Sequence, residues 1–489
     1  MNKNPLDILI IFPSLSKEEG YGRKKVKSNI GGFLPPLGVA SLSAYLIQKG
    51  FNVEIIEPLI LNMALEDIFN EIKTKSPKVI GISVLTSTYQ KGIFLANKIR
   101  EEFPNILIIM GGHHVTLFNK EIFKDTKDVD LLVYGEGEIT LSELMHVFKS
   151  NKYNRQKVMA DIEKLKKING IIFKENLKKN NIIMTDRREL ITNLDILPFP
   201  ARHLLQMEKY IPLPIEYKRL PVVHMMISRG CPFNCTYCST HAAFGYKVRF
   251  RSPKKVIEEM KYLIKTYHAR QISFWDDVLT INKKWLIELC DLIIKENLNI
   301  IWNCYGHVNT IDDEMLKKMK IAGCFCIWYG IESGDETLLK NINKGTTLKQ
   351  IETVVKLTKK NGIEVRGLFM IGLPGETPKL AQKTIDFAKK LDVDYAQFSI
   401  TTPHIGTKLF DDANKYGKLK MDFDKFTQHS ALFVPYGYKN SKQIEKIAKS
   451  AIFQFYFRPT YIFKQLLKIR DVDDIKRYIK AFKIALALS

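Results

Sequence analysis

Three cysteines in one short segment are the residues of this chain best suited to carry out chemistry. Cys231, Cys235 and Cys238 have the spacing C-x3-C-x2-C within the segment RGCPFNCTYC. Three thiolates this close together can hold three irons of a cubane iron–sulfur cluster and leave the fourth iron open. An open iron can bind and reduce a substrate, so the spacing indicates a reactive site rather than a structural one.

A zinc site is the alternative for these cysteines, because His241 extends the spacing to C-x3-C-x2-C-x2-H. Structural zinc sites usually consist of two separated ligand pairs that close a small fold. Here the apolar segment 222–228 predicts a buried strand before the cysteines, and Gly230 lets the backbone turn into their loop. We therefore favour the cluster. The other cysteines lie in helical or strand patterns and are expected to be buried apolar residues: Cys290, Cys304, Cys324 and Cys326.

Small and acidic residues also follow later apolar runs, at positions where the strands of a parallel barrel end. The segment FWDDV carries Asp276 and Asp277, and GIESG carries Glu332 and Ser333. The segment FMIGLPGET carries Gly372, Pro374 and Gly375. Each carboxylate alone could simply cap the next helix, but successive strand ends with such motifs indicate a shared site, since parallel barrels place their chemistry there.

Together with the cysteines, these motifs resemble the radical S-adenosylmethionine (SAM) superfamily. The resemblance implies a [4Fe–4S] cluster on the three cysteines, SAM on the open iron, and reductive cleavage of SAM to a 5′-deoxyadenosyl radical. It also assigns contacts to SAM. Tyr237 lies near the adenine. Asp276 or Asp277 binds the methionine amino group. The remaining contacts are to the methionine carboxylate and ribose (Glu332 and Ser333) and to the adenine side (Gly372, Pro374 and Gly375).

The N-terminal third has a second set of small and polar residues at strand ends. The set comprises Ser83, Thr86, Gly111, Gly112, His113, Gly135 and Glu136. Such residues let a large flat ligand approach the backbone, although ordinary strand-to-helix turns are the alternative. Together with the PPLG segment at 35–38, the set resembles the cobalamin-binding domain that precedes many radical-SAM cores. The resemblance implies that this set binds cobalamin.

His113 and its neighbour His114 depart from the pattern D-x-H-x-x-G of many cobalamin proteins, in which the His ligates cobalt. Position 111 is Gly, and neither His113 nor His114 has an Asp two residues earlier. We therefore expect no protein imidazole on the lower face of cobalamin. Both histidines could also simply cap a turn.

Alternating apolar runs and helical patterns define the elements that must position these residues. Apolar runs at 6–12, 53–57, 78–85, 106–110 and 130–134 predict parallel strands of a doubly wound α/β domain, residues 1–150. The sequence pattern of residues 151–220 predicts a linker with a small hairpin. Six strand–helix units predict a partial (β/α)6 barrel over 221–410, with strands near 222–228, 271–275, 300–305, 324–330, 364–371 and 395–400. A basic helical region, 411–489, completes the chain.

Composition sets the broad class of protein. The 489 residues carry a formal charge of +23, and seven cysteines, an odd number, favour metal binding in a reducing compartment over disulfides. No apolar run is long enough for a transmembrane helix and no signal-peptide layout is present, so we expect a cytoplasmic protein.

The charge has two interpretations, Lys-rich solvated surfaces or an anionic partner. Residues 439–489 concentrate it, with 12 Lys or Arg against 4 Asp or Glu and interleaved aromatics. These helices either seal the open barrel or meet an anionic membrane that gives access to a lipid-like substrate; nucleic acid is the least favoured partner.

The order of domains resembles cobalamin-dependent radical-SAM enzymes. These include radical methylases of unactivated carbons and the anaerobic magnesium-protoporphyrin ester cyclase, which leaves methyl transfer and radical cyclisation or oxidation open. The resemblance also implies an external electron donor of the flavodoxin or ferredoxin type and a small-molecule or lipid-like substrate. A tRNA-modifying enzyme is disfavoured because no cysteine precedes Cys231. A non-enzymatic iron–sulfur carrier is disfavoured because it needs no adenosyl site.

Overall fold

The computed structural model describes residues 5–13, 32–176 and 179–488. A seven-stranded sheet forms the centre of the N-terminal domain. Its strands are β1 (Ile8–Ile11), β2 (Val53–Ile56), β3 (Val79–Ser83), β4 (Leu107–Gly111), β5 (Leu131–Val133), β6 (Ile171–Asn176) and β7 (Lys179–Met184). They lie in the order β2-β1-β3-β4-β5-β6-β7, with β1 to β5 parallel and the last two antiparallel. All five predicted strands of the doubly wound sheet are present.

Both faces of this sheet are covered, which explains its nearly unbroken apolar strands. In β1, Ile8 and Ile10 join one core while Leu9 and Ile11 join the core on the opposite face. Such two-sided burial is typical of parallel sheets with helices on both faces. The helices of this domain are α1 (Leu37–Gln48), α2 (Pro58–Leu61), α3 (Leu65–Lys75), α4 (Tyr89–Glu102), α5 (His113–Phe118), α6 (Ile122–Asp125), α7 (Gly137–Ser150), α8 (Arg155–Ala160) and α9 (Ile162–Lys166).

The hairpin predicted in the connector is part of the first sheet. Its strand β6 pairs with β5 in antiparallel register, Leu132 opposite Ile172, and β7 completes the sheet edge. The predicted hairpin is present, but it belongs to the first sheet, and Ile171, Ile172 and Phe173 are fully buried in the N-terminal cores. The hairpin extends the first domain past residue 150.

A six-stranded parallel sheet curls into the predicted partial barrel. Its strands are β8 (Val222–Met225), β11 (Gln271–Phe274), β12 (Ile301–Gly306), β13 (Cys324–Glu332), β14 (Glu364–Ile371) and β15 (Tyr395–Ile400), in the order β15-β14-β13-β12-β11-β8. The short strands β9 (Ser228–Arg229) and β10 (Arg249–Phe250) pair across the segment that carries the three cysteines. The helices are α10 (Thr240–Phe244), α11 (Pro253–Tyr267), α12 (Lys283–Lys295), α13 (Asp313–Ile321), α14 (Glu336–Asn341), α15 (Leu348–Lys360) and α16 (Pro378–Leu391).

The two faces of the barrel strands differ in chemistry. Alternate side chains such as Ile272, Trp302 and Ile327 pack outward into the main hydrophobic core beneath the helices. The intervening side chains face the lumen, as the two-residue period of a strand requires, and these are polar or aromatic. They include His224, Ser273, Asn303, Trp328 and Arg366.

The C-terminal region closes the open edge of the barrel at β15. It contains α17 (Lys408–Asp411), α18 (Ala413–Tyr416), β16 (Gly417–Leu419), β17 (Phe433–Pro435), α19 (Ser441–Tyr456), α20 (Pro459–Leu466) and α21 (Val472–Leu488). Tyr456 donates to the carbonyl of Ala396 at 2.7 Å, and Tyr461 donates to the carbonyl of Asp394 at 2.9 Å. Part of this region therefore seals the barrel. Within the described residues, no helix combines the length and the apolarity needed to cross a bilayer.

Candidate active site between the two sheets

The cysteine loop leaves the carboxyl end of β8, where the barrel strands end. Asp276, fully buried after β11, braces this exit: its Oδ1 accepts hydrogen bonds from the backbone N–H of Ile227 (2.9 Å) and from the N–H and hydroxyl of Ser228. Burial raises the pKa of Asp276 to about 7. The side chain predicted to contact the SAM amino group thus holds the backbone that leads into the loop.

The three cysteines lie on one loop and differ in their exposure to solvent. Cys235 is buried, while Cys231 and Cys238 are half-buried. Cys238 Sγ lies 3.4 Å from Thr240 Oγ1, which donates to Asp277 Oδ1 at 3.0 Å. Burial raises the pKa of the Cys231 thiol to about 11, and Asp277 adds to the rise. Three thiols on one loop are a donor set that fits a [4Fe–4S] cluster with one open iron.

The zinc alternative does not find its fourth ligand here. His241 stacks on Tyr246, with ring centroids 4.8 Å apart and an interplanar angle of 7°. Over the whole described part of the chain, no three His, Cys, Asp or Glu side chains converge closely enough to hold a single metal ion. A zinc ion requires its ligands around one centre, whereas a cubane cluster presents separate irons to separate thiolates.

A buried triad of polar side chains lies beside the loop. Tyr237 donates to Glu332 Oε1 at 2.8 Å, and Lys344 Nζ lies 2.7 Å from the same oxygen. Lys344 is 5% exposed and Glu332 6% exposed. The structure thus places Tyr237 and Glu332, both predicted to contact SAM, in direct contact with each other. Lys344 was not predicted from the sequence, because its NKG segment follows a helix rather than a strand.

Glu332 holds a conformation that non-glycine residues rarely adopt. Its φ is +65°, in the left-handed region. A Cβ at Gly330 would lie 2.5 Å from Glu332 Oε1 and 2.7 Å from Lys344 Nζ. The GIESG motif therefore has a glycine at 330 because the buried ion pair occupies the space that a side chain would need.

Ser333, which was grouped with Glu332, turns away from this triad. Its hydroxyl is fully buried and lies 3.2 Å from Thr384 Oγ1 on α16, and it accepts from the N–H of Asp335 at 3.2 Å. Its side chain joins the strand end to the surrounding helices. A contact of this hydroxyl with a ligand remains a prediction that the geometry does not favour.

The GLPGE segment after β14 forms a tight loop against the same site. The carbonyl of Pro374 accepts from Asn341 at 2.9 Å, and Gly375 has a φ of +80°. Glu376 accepts from the N–H of Gly372 and from Tyr438, and burial raises its pKa to about 7. Leu373 packs in a small apolar cluster against Tyr237. The loop therefore contacts the aromatic residue that precedes the third cysteine.

A cavity of about 310 Å³ opens beside the triad. Its lining includes Tyr237, Glu332, Met370, Ser399 and His404. The cavity thus lies between the cysteine loop and the ends of β14 and β15. It combines apolar walls with hydroxyl, amide and imidazole groups.

A second cavity, of about 550 Å³, lies at the carboxyl ends of the N-terminal strands. Six of the seven predicted cobalamin residues line it: Ser83, Gly111, Gly112, His113, Gly135 and Glu136. The segment 35–38 lines it too. The opposite wall comes from the barrel domain, through His224, Met226, Arg229, Ala243, Phe244 and Trp275. This cavity is therefore shared by the two domains.

Gly112 shows why this cavity needs glycine. Its φ is +102°, and a Cβ there would lie 2.6 Å from the carbonyl oxygen of Val84. Glycine alone fits this close approach of two backbone segments. The cradle and its small residues fit a large flat ligand.

Thr86, the seventh residue predicted to contact cobalamin, does not line this cavity. It is buried, and its Oγ1 lies 3.2 Å from Nδ1 of His114, whose ring packs on Tyr89 at a centroid distance of 4.1 Å. Thr86 and His114 are thus part of the domain core. Both are held there by contacts that local sequence does not encode.

His113 faces the barrel domain, not the sheet beneath it. Its Nε2 lies 2.9 Å from the hydroxyl of Ser239, the residue after the third cysteine. Burial, and after it the nearby His404, lower its pKa to about 4. Since His113 lines the larger cavity and His404 the smaller one, the two cavities are neighbours.

Glu136 carries an ion pair between the domains in addition to lining the cavity. Its carboxylate lies 2.9 Å from Arg249 Nη1 and 3.1 Å from Arg229 Nη1. Neither arginine was predicted from the sequence, because their partners lie about a hundred positions away. The available signal in the sequence was that Arg229 precedes and Arg249 follows the segment that carries the three cysteines.

Two family models match the chain. The Radical SAM superfamily model matches residues 225–388, and the B12 binding domain model matches residues 23–145. The first range contains the three cysteines, and the second contains the strand ends of the larger cavity.

Curated relatives match most of this chain. The chain is 36% identical to an uncharacterized methyltransferase, PH0819, of Pyrococcus horikoshii, with 95% of each chain covered. It is 27% identical to the anaerobic magnesium-protoporphyrin IX monomethyl ester cyclase of Rubrivivax gelatinosus, with 86% of this chain and 73% of the relative covered. Among solved structures, the cobalamin-dependent SAM radical enzyme OxsB with aqua-cobalamin and SAM bound has a TM-score of 0.71. That match has 17% identity and covers 98% of this chain and 72% of OxsB, so it supports the fold.

Proposed function

Because this chain belongs to the radical-SAM enzymes that carry an N-terminal B12-binding domain, we propose that it transfers a methyl group to an unactivated carbon. The two domains imply a [4Fe–4S] cluster, SAM and cobalamin as cofactors. When bound, the cluster supplies the electron that cleaves SAM to a 5′-deoxyadenosyl radical, and cobalamin supplies the methyl group.

The chain's own residues have distinct roles in this proposal. Cys231, Cys235 and Cys238 hold the cluster, and Asp276 keeps their loop at the end of β8. Tyr237 and Glu332 border the cavity that would receive the adenosyl part of SAM, next to the loop at 372–376, and Lys344 holds Glu332 in place. Lys344 offsets the charge of Glu332, so this buried wall presents no net charge to the ligand.

One observation carries the proposal: the larger cavity is walled by both domains. Met226, Arg229 and Trp275 of the barrel domain face the strand ends of the B12-binding domain across it. A ligand in this cavity is therefore held against the segment that carries the cysteines. Such juxtaposition lets a substrate carbon lie between the two cofactors while the surrounding protein excludes water.

The substrate is a small molecule, and the reaction requires an external reductant, as in other radical-SAM enzymes. We infer that the reductant is an acidic protein of the flavodoxin or ferredoxin type. The charge of +23 and the exposed Tyr246 beside the cysteine loop support this choice. A reduced flavodoxin that fails to support SAM cleavage at low salt, where dithionite succeeds, would argue against it.

We further propose that the protein acts in the cytoplasm at an anionic membrane surface. Large apolar side chains on the C-terminal helices are exposed instead of sealing the barrel: Phe453, Ile462, Phe463, Leu466, Leu467, Val472, Ile475, Ile479 and Phe482. Exposed cations such as Lys464 and Lys476 lie among them. This combination is typical of helices that lie on acidic lipids and suits a lipid-like substrate.

Radical cyclisation or oxidation of a tetrapyrrole-like substrate is the second candidate. The likeness to the cyclase over 86% of this chain favours it. The two reactions differ in their products, because methyl transfer consumes one SAM as methyl donor and a second as radical source. Cyclisation needs only the second.

The test is anaerobic reconstitution with iron, sulfide, cobalamin and reductant, followed by incubation with cell extract. We expect both S-adenosylhomocysteine and 5′-deoxyadenosine, whereas 5′-deoxyadenosine alone would favour the second candidate. Cys235→Ala should lose both products together with bound iron, while the core variant Cys290→Ala should keep its iron. Turnover by Cys235→Ala would refute the cluster assignment.

A further inference from the structure

Both flanks of the cysteine loop are attached to the B12-binding domain. Before the loop, Arg229 donates to Glu138 Oε1, and its Nη1 lies 3.1 Å from Glu136 Oε1. After the loop, Ser239 lies 2.9 Å from His113 Nε2. Glu136, Glu138 and Arg229 are all largely buried. The loop is therefore fixed to the other domain at residues within two positions of Cys231 and one position of Cys238.

A second arginine extends these contacts. Arg249 Nη1 lies 2.9 Å from Glu136 Oε1 and also donates to the carbonyl of Ile191 at 2.7 Å. Its other terminal nitrogen donates to the carbonyl of Phe244 at 3.0 Å, at the end of α10. Two arginines from the barrel domain thus share one carboxylate of the B12-binding domain. We refer to Arg229, Arg249, Glu136 and Glu138 as the interdomain ion network.

The same residues form part of the wall of the 550 Å³ cavity. Glu136, Glu138, Arg229 and His113 line it, and so does Phe244, on whose ring Arg229 lies at 5.9 Å. A ligand that fills the cavity must touch the side chains that hold the cysteine loop. Glu136, Glu138, Arg229 and His113 each have a hydrogen-bond or ion-pair partner across the two domains, so they form a physical connection between the cavity and the loop.

We propose that the interdomain ion network couples the two cofactor sites, so that cobalamin and the cluster each strengthen binding of the other. This inference rests on the proposed function, because it takes cobalamin as the ligand of the larger cavity. Coupling of binding free energies is reciprocal. The cluster should therefore raise the affinity of the protein for cobalamin by the same factor by which cobalamin raises its affinity for the cluster. Arg229 and Glu138 are positioning residues in this scheme, since they act through the loop and the cavity wall.

The experiment compares the dissociation constant of hydroxocobalamin for the full chain with and without its reconstituted cluster, measured anaerobically by equilibrium dialysis. We expect the cluster to tighten binding by roughly 5- to 150-fold, the usual range for coupled sites. In Glu138→Gln, cobalamin should still bind, but the ratio should fall towards one. Arg229→Lys, which keeps the charge but loses the forked contact, should give an intermediate ratio.

Glu259→Gln is the matched control. It breaks another buried ion pair, with Arg202 at 2.7 Å, outside the cavity and the loop, and should keep the full ratio. Equal dissociation constants in the two wild-type forms would overturn the coupling. A full ratio retained in Glu138→Gln would overturn the role of the network. Absence of cobalamin binding in both wild-type forms would instead contradict the proposed function itself.

Discussion

Lys344 Nζ lies 2.7 Å from Glu332 Oε1, and both side chains are buried beside Tyr237. Breaking a buried ion pair leaves one charge without a partner, which usually costs about 3–5 kcal/mol. Glu332 also lines the cavity next to the cysteine loop. It therefore offers a way to separate stability from ligand binding.

Lys344→Met should lower the free energy of unfolding by about 3–5 kcal/mol and weaken SAM binding to cluster-loaded protein, measured by equilibrium dialysis. Adding Glu332→Gln should restore much of the stability, because no buried charge is then unpaired, but not the SAM affinity. The exposed Lys383, 3.2 Å from Asp335, supplies the control Lys383→Met, which should change neither. Undiminished SAM affinity in Lys344→Met would remove this lysine from the site.

Gly112→Ala should both destabilise the fold and abolish cobalamin binding. The added Cβ would meet the Val84 carbonyl at 2.6 Å while the backbone holds a φ of +102°. We expect a loss of about 2–5 kcal/mol in chemical denaturation, from backbone strain plus overpacking. Gly50 also has a positive φ, but a Cβ there would meet open space. Gly50→Ala should therefore be destabilised only by backbone strain, by about 1 kcal/mol. Equal losses of unfolding free energy in the two variants would show that the backbone around Gly112 shifts to accommodate the added Cβ.

Glu376 should make stability fall as pH rises through neutrality. Burial raises its pKa from 4.5 to about 7, so the folded state holds the proton more tightly than the unfolded state. Its contribution is fully present below pH 4.5 and is lost as pH rises through 7, by about 3 kcal/mol in all.

Glu376→Gln keeps an oxygen for Tyr438 and Gly372 but cannot ionise. Relative to wild type, it should therefore gain unfolding free energy between pH 5 and pH 8, in urea denaturation at each pH. The exposed Glu163 supplies the control Glu163→Gln, which should follow the wild-type profile. If the unfolding free energy of Glu376→Gln changed with pH as that of the wild type does, another group would be responsible for the pH dependence.

The exposed apolar side chains of α20 and its C-terminal end should mediate binding to acidic vesicles. Replacing Phe463 and Leu467, which are 62% and 70% exposed, by Ser should weaken co-sedimentation with phosphatidylglycerol vesicles by at least about tenfold. Binding should also fall with salt, because cations contribute. Ile321→Ser alters an equally exposed residue on α13 (70%) and should bind like wild type. Equal binding to neutral vesicles would contradict the membrane contact.

Local sequence was sufficient for much of the architecture. Two-sided apolar runs such as 6–12 and 78–85 predicted the doubly wound sheet, and the six strand–helix units predicted the partial barrel, because strand and helix periodicity are local properties. The cysteine spacing and the motifs at 332 and 372–376 fell at strand ends for the same reason. Parallel strands then bring those ends together, so Tyr237 and Glu332 could be expected to meet.

The direction and partners of individual side chains were decided only by tertiary structure. Asp276 and Ser333 follow strands as predicted, yet one braces the loop backbone and the other bonds Thr384. Glu136 pairs with arginines about a hundred positions later, and the connector hairpin joins the first sheet. The sequence alone determined which chemistry is present. Packing between distant segments determined which residues carry it, since burial forces each charge to find a partner wherever the fold places one.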